Sequence, residues 1–405
     1  MFIKQITLEG HPLIRECEIR FSIPNGTMGS GLNYVVGQSG TGKTKLLEII
    51  SSGYQNRPPS PGIGKQPIER SLYKATVFDE TGKENSKIGG LIVLYPDHPP
   101  KINRDYLFSS EEHEETTATG KPHKILRTRN RSGNYYPKTF ANSGVGEALF
   151  NNLMEQIVNG PAAINASIQI VAIEEAEAYL DPENQVKLLK ALATLATNKQ
   201  VFISTHSPYI IDWDYLENGA SIIKMNRSDN ESTVGVFCDH KVAKAINKPG
   251  RRNPHLNGVE SKNIFFTNKI FVTEGQEDVG LIGTYLNEKA IDQDFAFFGY
   301  GAGSNSKIRN VLELCAQLKI PKAAALFDAS DSAEYKICVD KYKHYKIMEL
   351  IADDIRDKPE TGASEIKALG AFEYESKKEK YTLKNDTLGK DFEEKITAIV
   401  DYFHS

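Results

Sequence analysis

Apolar and polar positions fall into short, strand-like runs at the start of the chain: FIKQITLEG, LIRECEIRFSI and LNYVVG. KTKLLEIISSGY then sets Leu46, Leu47, Ile49 and Ile50 at helical spacing. RPPSPGIGKQP reads as a Pro/Gly loop, and LYKATVFDE and GGLIVLYPDH as further strands. Residues 101–138 are polar and charged, with SSEEHEETTATGKPHK and RTRNRSGN, and read as a flexible insertion.

Order returns at GVGEALFNNLMEQIV, a helix pattern. A strand (SIQIVAI), an amphipathic helix (NQVKLLKALATLA) and another strand (QVFIST) follow. Such a strand–helix–strand series predicts a parallel sheet covered by helices. Residues 231–264 are rich in polar and turn-forming types, including NKPGRRNPHLNG, and are expected to link two units. A second α/β series runs through KIFVTEG, DVGLIGTYLNEK, FAFFGYGAG, KIRNVLELCAQL and KAAALFDASD. The fold class expected is therefore α/β, with one unit over residues 1–230 and another over 265–405.

Length supports that division, because 405 residues exceed what one core usually serves. The formal net charge of −4 argues against a globally basic nucleic-acid binder while leaving room for a local basic groove. No apolar run reaches membrane-spanning length, and the first residues lack the apolar centre of a signal peptide. The four cysteines (Cys17, Cys238, Cys315, Cys338) form no CxxC pair, so a reducing, cytoplasmic setting is expected.

Residues 37–44, GQSGTGKT, satisfy GxxxxGK[ST] and sit between a strand and a helix, the context a phosphate-binding loop requires. Gly37, Gly40 and Gly42 let backbone N–H groups turn toward phosphate, and the helix N-terminus adds partial positive charge. Lys43 would reach the β- and γ-phosphates of ATP, and the Thr44 hydroxyl would bind Mg²⁺. Downstream, the strand IQIVAI delivers Glu174 and Glu175 at its C-terminal edge, where parallel sheets place chemistry. Glu174 would hold Mg²⁺ through water and Glu175 would polarise the attacking water. His206 follows the next strand, where a γ-phosphate sensor would sit; a single histidine is otherwise usually structural.

The second series gathers acids at its strand tips. Glu274 ends one strand, Asp278 stands in the first turn of the following helix, and Gly275 allows the tight turn between them. Asp278 also has the ordinary reading of an acid that stabilises a helix N-terminus. Gly299, Gly301 and Gly303 form a loop at a second tip, and Asp328 and Asp331 follow a third. Carboxylates at adjacent parallel strand tips are the makings of a two-metal phosphodiester site.

These blocks carry two resemblances. The first resembles the ABC-type ATPase heads of the SMC, Rad50 and OLD (overcoming lysogenization defect) group. That implies Gly37 to Thr44 as Walker A, Glu174 and Glu175 as Walker B, Leu180-Asp181-Pro182 as the D-loop and His206 as the switch histidine. NSGVGE, Asn142 to Glu147, resembles the signature loop, with Ser143 and Gly144 against the γ-phosphate of a partner head; it also reads as a plain helix start. The second block resembles the Toprim fold, a Rossmann-like parallel sheet, with Glu274, Asp278 and Asp328 at family positions. Ser330 stands where that family's DxD motif has its second Asp, and Asp331 lies one residue later. Either Asp331 takes the ligand role or the site is weakened. The family's late basic residue falls within KYKHYKIMEL or DDIRDKPETGASEIK, candidates including Lys346 and Lys358, and Asp353 and Asp354 are further ligands or a helix face.

An ATPase head followed by a Toprim domain is the OLD-family arrangement, covering about residues 1–230 and 265–360. The resemblance implies ATP and Mg²⁺ as cofactors, with Mn²⁺ or Ca²⁺ as alternatives at the second site. It implies DNA or another nucleic acid as substrate and a homodimer or larger homo-oligomer through paired heads. It also implies a place in anti-phage defence, beside a partner such as a retron reverse transcriptase and its non-coding RNA. Two readings remain open: an ATP-controlled, metal-dependent endonuclease, and an ATP-driven clamp or sensor whose second domain binds without cutting.

Overall fold

The structure is a computed structural model that describes residues 2–55, 74–84, 91–94, 108–116, 122–130, 145–166, 168–178, 180–228, 231–329, 332–359 and 366–405. It is a mixed α/β chain built around two separate parallel arrays. The first is a six-stranded sheet. Its strands in chain order are β3 (Leu32–Val36), β5 (Leu91–Leu94), β8 (Ile170–Ile173), β9 (Gln200–Ser204), β10 (Ser221–Ser228) and β11 (Glu231–Phe237). They lie side by side as β11-β10-β3-β9-β8-β5, every pair parallel except the β10–β11 hairpin. β3, β8 and β9 are buried throughout, as the near-continuous apolar sequence of a sheet covered on both faces requires.

Alternate residues of those strands serve two cores. Val35, Ala172, Phe202, Ile223 and Met225 meet helix α1 (Lys43–Gln55) and the antiparallel sheet β2-β1-β4, made of β1 (Ile3–Glu9), β2 (Cys17–Arg20) and β4 (Lys74–Asp79). Tyr34, Val171, Ile173 and Ile203 face the other way, toward α2 (Val145–Val158) and α3 (Pro182–Leu195). Asp181 caps α3 by accepting the Asn184 N–H at 2.9 Å, worth about 1 kcal/mol to the helix.

The second array has four parallel strands: β12 (Lys269–Val272), β13 (Ala296–Phe297), β14 (Lys322–Phe327) and β15 (Lys346–Glu349). Their order is β13-β12-β14-β15. Ile270, Val272, Ala323, Ala325 and Phe327 share one continuous core with the first sheet, whereas Phe271, Ala324 and Leu326 pack under α8 (Thr387–His404). The period-two split of β12 and β14 thus joins one face of the second unit to the first unit.

Two expectations change. Residues 231–264 are not a free linker: they hold β11, the helix α4 (His240–Arg252) and two 3₁₀ turns, Pro254–Asn257 and Glu260–Phe265. The polar composition that suggested a linker belongs to the exposed side of α4, whose Ala243 and Ile246 are buried. Within 101–138, expected as a flexible insertion, Phe108–Thr116 and Pro122–Asn130 pair as an antiparallel ribbon.

The units are also joined by polar contacts. Lys224, fully buried on β10, donates to the carbonyls of Ile264 (3.4 Å), Phe265 (3.0 Å) and Thr267 (2.7 Å), the segment that leads into β12. Asn226 donates to the carbonyls of Leu318 and Lys319 at the end of α6 (Asn305–Gln317).

Candidate functional site

The phosphate loop runs from the end of β3 into α1. Gly37 has φ +139°, and a Cβ there would lie 2.4 Å from the Met225 carbonyl oxygen, so both backbone conformation and space demand glycine. Neighbouring β10–β11 holds the loop from outside. Arg227 donates to the Gly40 carbonyl at 3.0 Å, and the Ser232 hydroxyl donates to the Thr41 carbonyl at 2.7 Å. Lys43 is 6% exposed and curls back over the loop, donating to the carbonyls of Gly37 and Gln38 at 3.1 Å each. Burial pushes its ammonium down to about 8, with Glu175, Glu177 and Glu174 pulling the other way.

Glu174 and Glu175 stand just past β8. The Thr44 hydroxyl is hydrogen-bonded to Glu174, joining the two groups expected at a nucleotide-bound Mg²⁺. Glu175 adopts φ +46°, rare for a side-chain-bearing residue, and its N–H donates to Ser204 at 3.0 Å. His206 is exposed, and its N–H donates to Glu177 at 2.6 Å. Burial and then Lys43 lower the imidazole pKa, which keeps the ring toward its neutral, accepting form. Glu177, not singled out from the sequence, is raised by burial and leaves one carboxylate oxygen buried without a partner. Lys43, Thr44, Glu174, Glu175, Glu177 and His206 therefore share one locality. Hydroxyl, carboxylate and ammonium groups suited to Mg²⁺-ATP are gathered there. Asp181 serves visibly as a helix cap. Ser143 and Gly144 lie outside the described residues.

The second site lies at the carboxyl ends of β12 and β14. Numbered within its own sheet, the order is 2-1-3-4, so the chain reverses direction of winding between these two strands. That is the switch point at which open α/β sheets bind ligands. Glu274 is half-buried at the β12 tip. Asp278 sits in the first turn of α5 (Gln276–Glu288), 9% exposed, and accepts the Gly275 N–H at 2.8 Å. Asp328 follows β14 and is 7% exposed. Asp354, at the start of β16 (Asp354–Arg356), joins them at 7% exposure.

Two of these acids, Asp278 and Asp328, are held toward their protonated forms, first by burial and then by their acidic neighbours. Burial drives the Asp278 carboxyl up to about 7; the Gly275 N–H and Lys358 oppose the rise, and Glu274 and Asp354 add to it. Burial raises Asp328 well above the carboxylate range, helped by Asp278, Asp354 and Glu274. Lys358 pairs with Asp354; burial would lower its ammonium, but Asp354, Glu277 and Glu274 draw it upward, and Arg356 also feels Asp354. Arg356 pairs with Glu277. Of the late basic candidates, Lys358 stands at the site. Lys346 begins β15 beside Ala324, nearer the opposite end of the sheet. Asp353 is exposed, and its backbone N–H donates to the Leu369 carbonyl at 3.1 Å. Ser330 and Asp331 lie outside the described residues.

The glycine loop braces this site. Ala302 and Gly303 donate backbone N–H groups to the carbonyls of Thr273 (2.9 Å) and Glu274 (2.7 Å). Gly301 has φ +98°, and a Cβ there would meet Gly275 Cα at 2.6 Å and the Glu274 carbonyl oxygen at 2.8 Å. Two polar atoms close to the loop, Thr273 Oγ1 and Asn305 Oδ1, are buried without a hydrogen-bond partner.

Clustered carboxylates, with the buried Thr273 Oγ1 and Asn305 Oδ1 nearby, fit a hard divalent cation in donor chemistry and in charge. As the side chains stand, no three His, Cys, Asp or Glu residues among the described residues close into a metal-holding group. The fit is thus one of chemistry and charge. From the sequence alone, Asp354 reads as a further ligand or part of a helix face. It sits on a short strand with no periodic signal, and only the sheet topology brings it in.

Comparison with known proteins bears on the first unit. Residues 101–211 match a family model described as an AAA ATPase domain. The match takes in Glu174, Glu175 and His206 but not the phosphate loop, and spans well under half of the chain. No curated protein matches. Among solved structures, an SMC head domain from Thermotoga maritima overlaps at TM-score 0.33 and 14% identity, covering 58% of this chain and 98% of that one. An SmcHead bound to the C-winged helix domain of ScpA gives 0.33 and 12%, covering 60% and 100%. Stu0660 of Streptococcus thermophilus gives 0.35 and 10%, covering 62% and 80%. Overlaps this low carry no argument by themselves. The family match and the phosphate-loop geometry give the coarse conclusion: the chain contains a P-loop ATPase domain. Among the described residues no helix is long and apolar enough to cross a membrane.

Proposed function

We propose that the chain is an ATP-controlled, divalent-metal-dependent endonuclease acting on DNA, with its second unit a Toprim-type domain in an OLD-like arrangement. The observation that carries this reading is the gathering of Glu274, Asp278, Asp328 and Asp354, with Lys358, at the switch point of the second parallel sheet. Buried acids that resist ionisation destabilise a fold, and such arrangements are kept where they act.

Glu274, Asp278, Asp328 and Asp354 would hold Mg²⁺ or Mn²⁺, which when bound supplies an activated water and charge stabilisation at phosphate. The protein's own contribution is position. The glycine loop fixes the Glu274 tip, α5 fixes Asp278, and Lys358 offers a cation for the developing charge on a cleaved phosphodiester. At the first site Lys43 would bind the β- and γ-phosphates of ATP, with Thr44 and Glu174 on Mg²⁺. Glu175 would orient the attacking water, and His206 would sense the γ-phosphate. Paired heads, with Ser143 and Gly144 facing a partner's ATP, and a role in anti-phage defence belong to the same reading.

Cleavage of supercoiled plasmid and single-stranded DNA in Mg²⁺ or Mn²⁺ tests it. Wild type should nick, and Glu274→Ala and Asp328→Ala should lose at least about a hundredfold, the scale of losing a preorganised electrostatic group. Lys43→Ala should abolish ATP turnover. Equal cutting by both acid variants ends the nuclease reading. The second reading, a clamp that binds without cutting, is favoured by one observation: the described carboxylates do not close on a common point.

A further inference from the structure

Neither site uses the outer face of α4. Lys241, Lys244, Lys248 and Arg252 follow one another at helical spacings of three or four residues, and all four are exposed. They form one stripe on the side opposite the buried Ala243, Ile246 and Asn247. Among the described residues none of the four makes an ion pair. Arg251, by contrast, is turned aside and engaged by Asp214 and Glu217. The helix contains no acid at all.

A solvated helix face normally mixes signs, and here it does not. Favourable interaction with the helix C-terminus accounts for Arg252, but not for Lys241 and Lys244 near the N-terminal end, where a cation is disfavoured. The chain as a whole is acidic, at −4, so the stripe runs against the overall charge.

The position of the stripe is specific. Pro249 on α4 and Leu256 just after it are the groups a side chain at Gly303 would meet. The same glycine loop donates two N–H groups to Thr273 and Glu274. At the tip of that loop, between Gly299 and Gly301, Tyr300 is 36% exposed. From Lys241 to Arg252 the helix runs roughly 16 Å, about five base-pair steps along a duplex strand.

We propose that the outer face of α4 is a phosphate-backbone ridge that seats duplex DNA and leads it over the glycine loop to the carboxylate site; this deepens the nuclease reading and rests on it for the role of the DNA. The ridge contacts phosphates and not base edges, so it contributes affinity without sequence preference.

The test is binding of a fluorescein-labelled 20-base-pair duplex, read by anisotropy across a salt series. It compares the full chain, the triple variant Lys244→Glu/Lys248→Glu/Arg252→Glu, and its Gln counterpart. Losing three phosphate contacts should reduce the slope of log affinity against log salt by about 2.7 and weaken binding roughly a hundredfold at 0.1 M salt. The Gln variant should show the slope change, and ATP turnover without DNA should stay at the wild-type level in both. Unchanged slope and affinity overturn the ridge, as does unlabelled RNA duplex or an acidic peptide displacing the probe better than DNA. Glu274→Gln separates the two claims. If it cleaves like wild type while the ridge variants lose binding, the nuclease reading falls and the ridge stands.

Discussion

Gly301 and Gly280 belong to the same unit but face opposite physical situations, and alanine at each tests how the carboxylate site is held. At Gly301 the backbone is at φ +98°, a conformation that costs an L-residue about 1–2 kcal/mol. The new methyl would also sit 2.6 Å from Gly275 Cα and 2.7 Å from its nitrogen, both backbone atoms that cannot swing away. Relieving that overlap adds about 1–3 kcal/mol. Gly301→Ala should therefore destabilise the chain by about 2–5 kcal/mol and push the Glu274–Gly275 turn away from Asp278. Gly280 lies inside α5 with nothing within 4 Å of its would-be methyl. Gly280→Ala should stabilise by about 0.5–1 kcal/mol, since alanine suits a helix and restricts the unfolded chain. Urea unfolding gives both numbers, and plasmid cleavage and ATP turnover are read on the same preparations. Gly301→Ala is expected to lose cleavage at temperatures where it is still folded and still hydrolyses ATP. A Gly301→Ala protein as stable and as active as wild type would refute the claim that this loop braces the site.

Other outcomes follow from particular contacts. Lys358→Ala should abolish cleavage at a stability cost under about 1 kcal/mol, because its pairing with Asp354 is part-exposed; Lys346→Ala should leave cleavage intact. Glu313 provides a pH signature away from both sites. Burial would raise its carboxyl, but hydrogen bonds from Lys341, Gln317 and Tyr342 more than reverse that and hold it down to about 2 from 4.5. A depressed acid stabilises above its unfolded value, so this contribution is complete above pH 4.5 and disappears as pH falls through 2. Glu313→Gln should cost about 1 kcal/mol at pH 7 after solvent screening, and the gap from wild type in thermal unfolding should close toward pH 2.

Much of the fold was legible because the central strands of both main sheets are parallel and buried. Buried parallel strands must be near-continuous apolar runs, and IQIVAI, QVFIS and KAAALF announce themselves in that way. The phosphate loop was legible because each glycine has a backbone reason, as Gly37 shows. Glu274 and Asp328 were found as tips of strands already recognised, and Asp278 as the first turn of the helix after the Glu274 tip. Asp354 could not be assigned and Lys358 could not be chosen over Lys346, because β16 and β17 (Lys358–Pro359) are three and two residues long and carry no period. Their place depends on pairings such as that of β16 with β19 (Gly370–Glu375), sixteen residues ahead at Asp354–Gly370. Residues 231–264 misled for a different reason. The polar stripe of α4 dominates its composition, although Ala243 and Ile246 beneath it are buried.

The central claim is that the second sheet's carboxylates form a metal site. Mn²⁺ binding to nucleotide-free protein, followed by electron paramagnetic resonance, tests it for wild type and Asp328→Asn. Binding in wild type that is lost in Asp328→Asn, with Lys43→Ala unchanged, is the result expected. No Mn²⁺ bound by wild type, or equal binding by Asp328→Asn, would contradict the account.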